Sequence, residues 1–180
     1  MKAKGGLCLL LAVLLCLAGC SASVGSRGNA QTVPLDSIIE ALRIGNAGVY
    51  QAAFPEDFVA AYQAQYPDFT VTLEGLLSSA AEKNKEDLGD TWSIHYELTA
   101  SEKLSVDSLE QNYGYEGLDS FWYAFPVEHI TDYRKISVTV YFEGSFHSFE
   151  TKLTYRVLCL DGIWYLHPES FGSVLRSQKP

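Results

Sequence analysis

The chain is predicted to be an α+β domain, with N-terminal helices packed on a curved antiparallel sheet of about four strands. Three observations carry this. Apolar residues recur at helical spacing as far as Ala80, the period switches to strict alternation at Trp92, and Asp161-Gly162 separates two alternating runs near the end. Helices first and strands afterwards is the pattern of helices segregated to one face of an antiparallel sheet.

In "LDSIIEALRIGNAGVYQAAF", Leu35, Ile38, Ile39 and Leu42 predict a first helix of about ten residues. Asp36 or Ser37 would cap it and "GNAG" would end it. "PEDFVAAYQAQY" opens on a proline and two acids, sets Phe58, Val59 and Tyr62 on one face and stops at Pro67, a second short helix. "TLEGLLSSAAEKNKEDL" places Leu73, Leu76, Leu77 and Ala80 at helical spacing before turning polar, a third helix with a solvated end.

Trp92, Ile94, Tyr96 and Leu98 then alternate with Ser93, His95, Glu97 and Thr99, as a half-buried strand does. "SVDSLEQNYG" predicts a short helix capped by Ser105 or Asp107 and ended at Gly114. "YEGLDSFWYAFPVEHITDY" is aromatic without a period and reads as a packed loop. Arg134 to Glu143 and Phe149 to Leu160 alternate again, and Ile163 to His167 returns as the last strand. The Asp-Gly turn pairs Leu160 with Ile163, Cys159 with Trp164, Leu158 with Tyr165 and Val157 with Leu166. Cys159 and Trp164 thus form a core pair, while Tyr165, Arg156 and His167 lie on the other face, where a partner or a second subunit would make a homodimer through the sheet.

At the start, Lys2 and Lys4 precede an apolar run from Leu7 to Ala18 that is too short to span a bilayer and reads as an export signal. Leu17-Ala18-Gly19-Cys20 resembles the lipobox of bacterial lipoproteins. The resemblance implies cleavage after residue 19, acylation of Cys20 with chains such as palmitate, and a protein tethered to the extracytoplasmic face of the cell membrane. The competing reading is an ordinary export signal with an incidental cysteine, or an uncleaved anchor. Ser21 to Val33 is small and polar and reads as a flexible stalk, so that residues 1–19 are signal, 20–33 lipidated cysteine and stalk, and 34–180 one domain.

Of the four cysteines, Cys8 and Cys16 would leave with the signal and Cys20 would be acylated. Cys159 alone would remain a thiol, which excludes an intramolecular disulfide in the processed chain. Loss of Lys2 and Lys4 from 13 basic residues leaves 11 against 22 acidic ones, a formal charge of −11. That balance disfavours nucleic acid and anionic head groups as partners.

The ordered set "IIEALRIGNAGVYQAAF", "WSIHYELTASEKLS" and "YRVLCLDGIWYL" resembles the nuclear transport factor 2-like, or cystatin-like, cone folds, particularly their secreted lipoprotein versions. The resemblance spans most of Leu35 to Leu166 and implies a sheet wrapped around the helices to leave a cone-shaped pocket. Members of that superfamily are isomerases, dehydratases, transport factors and binding modules, so the fold does not settle the function.

Its enzymes resemble ketosteroid isomerase in needing a carboxylate or histidine on the pocket side of the sheet, beside a hydroxyl donor. The inward face read from the alternation holds no acid, histidine or lysine. Tyr96 and Tyr155 are its polar handles, with Trp92, Trp122 and Tyr123 as further pocket candidates; ordinary core packing is the plainer account of each. A base could still come from Glu128, His129 or Asp132. His95 and Glu97 make at most half a metal site, because His129, His147 and His167 have no assignable position, so no metal or cofactor is expected. Tyr115, Phe121, Trp122, Tyr123 and Phe125 would rim a pocket or, more simply, form a lid. The expectation is a non-catalytic binding or interaction module for an unknown small molecule or envelope protein. An isomerase or hydratase of the same superfamily and an accessory of an envelope complex are the alternatives.

Overall fold

A computed structural model of the chain describes residues 29–109 and 121–177. Four helices precede and cover a four-stranded antiparallel sheet in the order β1-β2-β3-β4, which bears out the α+β expectation.

Helix α1 (Val33–Ile44) begins earlier than its expected cap. A 3-10 turn at Ala30–Thr32 runs straight into it, Pro34 occupies the first turn, and Asp36 lies inside that turn rather than ahead of it. Gln31 and Thr32 are buried, so the packed domain starts within the stretch expected to be stalk. Gly45 closes α1 in the left-handed conformation at a φ of 67°, with its N–H donating to Ala41. Directly after it comes α2 (Ala47–Gln51), which no periodicity announces; Asn46 starts it by accepting the Val49 N–H at 3.0 Å. Helices α3 (Glu56–Gln65) and α4 (Phe69–Leu88) follow as expected, separated by Tyr66 to Asp68.

Strand β1 (Ser93–Lys103) pairs with β2 (Ile130–Glu143), β2 with β3 (Ser148–Leu160), and β3 with β4 (Ile163–Leu166). Strand β2 takes in Ile130 to Tyr133, where a loop is expected from the aperiodic sequence. A register shift between Ile130 and Asp132 interrupts the alternation there and hides the strand from periodicity. After β1 a helical turn starts at Ser108, with the Ser105 hydroxyl accepting the Asp107 N–H; its expected end at Gly114 lies outside the described residues, as do Tyr115 and Cys20.

The β3–β4 hairpin has all four expected pairs, with Asp161 and Gly162 at φ 49° and 86°. Cys159 is buried opposite Trp164. The outward face at this end is not open. Val157, Leu158, Cys159 and Leu160 are buried in succession, and Tyr133 and His167 are buried as well. The segment around Tyr123 and Phe125 packs on that side, with the Tyr123 ring 6.0 Å from His167. A partner therefore does not meet His167 there.

The inward face, Ile94, Tyr96, Ile136, Val138, Val140 and Phe142, joins the helices in one apolar core with Leu35, Leu42, Leu73 and Leu77. Beyond β4 the chain turns through Pro168–Ser170 and runs back over the helices as a strap. Its Phe171 ring lies within about 5 Å of Phe54, Phe58, Tyr62 and Phe69. Such edge and offset contacts add to the apolar burial that holds the strap down.

Candidate functional site

A groove of about 1030 Å³ runs between α4, the inner face of β2 and β3 near their turn, and the strap. Its α4 wall presents Leu76, Ser79, Ala80 and Lys83 because these residues recur on one helical stripe. Its floor is Phe142, Phe149, Thr151 and Leu153, set on one face by the two-residue period of the strands, with the Phe142 and Phe149 rings stacked 4.7 Å apart. The third side is Gly172 to Ser177.

Hydrogen bonds fix that third side. The Tyr50 hydroxyl donates to the Ser173 carbonyl at 2.8 Å. Farther along, the Ser177 N–H donates to Asn84 Oδ1 at 2.6 Å and the Ser177 hydroxyl donates to Asp87. Lys83 Nζ meets the other Asp87 oxygen at 2.8 Å, and that hydrogen bond raises the lysine pKa. With Glu150 and Arg176 at its margins the groove offers both charges beside an apolar floor, and its volume is at the upper end for small-molecule sites.

None of the five pocket candidates lines it. Tyr96 is on the inner face, its hydroxyl shared between Asp36 Oδ1 at 2.8 Å and the Thr32 carbonyl at 3.1 Å. Tyr155 is half-buried on the same face, and burial pushes its phenol up to about 12. Trp92 packs just ahead of β1. Trp122 stacks on Phe58 at 5.8 Å, and Tyr123 packs on Phe125 and His167. The five are not brought together: Trp122 faces α3, its chain neighbour Tyr123 faces His167 on the outward side of the sheet, and Tyr96 faces Asp36 on the inner face.

The candidate bases do not converge either. His129 pairs with Asp161 at 2.9 Å on the surface, Asp132 with Arg134 at 2.9 Å, and His95 stacks on Tyr141, whose hydroxyl donates to Glu97. Among the described residues no group of three His, Cys, Asp or Glu side chains could hold a metal ion.

Two polar clusters are not legible from the sequence pattern. Asp36, expected to cap the first helix, faces Tyr96 instead; burial raises its carboxyl and the tyrosine hydrogen bond lowers it. His167 is buried beside Arg156, whose guanidinium donates to Glu169 at 2.8 Å. The signal for the first is an acid one turn into an apolar helix, and for the second a histidine following a fully apolar run.

The described chain is thus a single α+β unit with an amphipathic groove under a C-terminal strap. No protein-family model, no curated protein and no solved structure matches it. Among the described residues no helix is long and apolar enough to cross a membrane.

Proposed function

We propose that this chain is a bacterial lipoprotein, held on the extracytoplasmic face of the membrane through acylated Cys20, whose folded domain is a non-catalytic binding module. The single observation that supports binding is the groove beneath the strap, with an apolar floor, hydroxyls of Ser79, Thr151 and Ser173, and charges at its margins. Supporting the anchor are the short apolar run and Leu17-Ala18-Gly19-Cys20. A cystatin-like cone is consistent with helices on one face of a meander sheet, and within it the groove would be the open mouth.

The isomerase or hydratase reading has one observation in its favour, the Asp36–Tyr96 pair. Neither residue lines the groove, and the tyrosine proton is already shared between Asp36 and Thr32, so the pair serves to hold the N-terminal turn on the sheet.

Cys20→Ala should abolish incorporation of labelled palmitate and release the protein from membranes; unchanged membrane association would overturn the anchor. The released chain should bind anilinonaphthalene sulfonate saturably, and Leu153→Trp, which fills the groove floor, should weaken that binding at least tenfold. Equal binding by the variant would overturn the groove as the ligand site.

A further inference from the structure

Strand β4 is short and pairs only with Val157–Leu160, so among the described residues the N-terminal part of β3 has a strand neighbour on one side alone. The direction of its free groups follows from the ladder. Arg156 accepts the His167 N–H at 2.9 Å, and the β2–β3 register is unbroken from Asp132–Cys159 to Glu143–Ser148. Even-numbered residues of β3 therefore direct their N–H and C=O groups to the β4 side. At the open edge these are Ser148, Glu150, Lys152 and Thr154, whose side chains are all exposed.

Charged residues on an open edge ordinarily prevent pairing. Here their order is self-complementary. About a two-fold axis at Thr151, "SFETKLT" sets Glu150 against Lys152, Phe149 against Leu153 and Ser148 against Thr154 of an antiparallel second copy. Within the chain neither charge is already matched across the ladder, because Glu150 lies opposite Tyr141 and Lys152 opposite Thr139.

We infer that the free edge of β3 pairs antiparallel with β3 of a second copy of this chain, centred on Thr151, to make one continuous eight-stranded sheet. Only this register satisfies both constraints. Shifting by one residue turns bonded groups away from each other, and shifting the axis to Glu150 or Lys152 sets like charges face to face. The chosen register joins the outward groups in four hydrogen-bonded pairs, with about eight backbone hydrogen bonds. Phe149 and Leu153 are floor residues of the groove, so their cross-strand contacts place the two grooves along the seam.

The test is cysteine cross-linking of the full-length chain in cells, whichever fraction it occupies, which keeps the result independent of the anchor. Thr151 on the axis is a non-hydrogen-bonded pair, where Cα atoms stand about 4.5 Å apart, within disulfide range. Thr151→Cys should give a covalent dimer under mild oxidation, at least tenfold above the parent chain, whereas Thr154→Cys, distant from its own copy, should not. Lys152→Glu or Glu150→Lys in the Thr151→Cys chain should each reduce the dimer at least fivefold, and the double exchange should restore it. No dimer at position 151, equal dimer at 154, or failure of the double exchange to restore it would overturn the proposal.

Discussion

His167 is held in its neutral form by its surroundings. It is 2% exposed, and its Nδ1 accepts the Glu169 N–H at 3.2 Å, a bond that the protonated ring cannot make. Burial, and then the nearby Arg156 cation, lower its pKa to about 3 from 6.5. In the unfolded chain the imidazole takes up a proton below pH 6.5, while the folded protein resists until about pH 3. This group's contribution to stability is therefore fully present above pH 6.5 and is lost as pH falls toward 3, at up to about 1.4 kcal/mol per pH unit. Urea unfolding between pH 7 and pH 4 should show that slope. His167→Asn, which keeps an acceptor for Glu169 without a titrating ring, should flatten it.

At the scale of elements, the turn after β2 depends on its closeness to a helix end. Phe146 N–H donates to the Leu88 carbonyl at 2.9 Å, and Gly144 lies so near that a Cβ would overlap the same carbonyl and Leu88 Cβ. The overlapped atoms are the backbone and Cβ of buried Leu88, which cannot swing aside as the end of a flexible side chain could. Gly144→Ala should therefore lower stability by about 1–3 kcal/mol, read as a reduced urea midpoint with an unchanged slope. Gly75, on the exposed side of α4, is the contrast, because a Cβ added there would have nothing within 4 Å. Gly75→Ala should be neutral or stabilising by a few tenths to about 1 kcal/mol, a rise in the same midpoint. Most elements are legible in the sequence because their periods are local. Strand β3 and its hairpin can be read residue by residue, while α2 is too short to show a period and the start of β2 is masked by its register shift.

For the molecule as a whole, the C-terminal strap joins elements distant in the chain. Phe171 meets rings from α2 through α4, and Ser177 binds α4 near its end. Phe171→Ala should cost about 2–4 kcal/mol by loss of these contacts, measured as a fall in the urea midpoint. It should also weaken dye binding in the groove, because the strap is one of its walls. The groove is not legible in the sequence. Its residues come from α4, β2, β3 and the strap, and "SFGSVLRS" has neither a helical nor a strand period to mark it as structural.

Local patterning by itself determined the α+β class, the three longer helices and the order of the strands, the inward face where the strands alternate regularly, and the register of the last hairpin. These depend on side-chain period and on the backbone angles of an Asp-Gly turn, which neighbours in the chain dictate. Tertiary structure alone decided that the far face of the hairpin is covered and that Asp36 meets Tyr96. It also decided that a groove opens under the strap rather than beside the expected aromatic residues. Each of these depends on segments far apart in sequence, and no local period records which distant surface a side chain will meet.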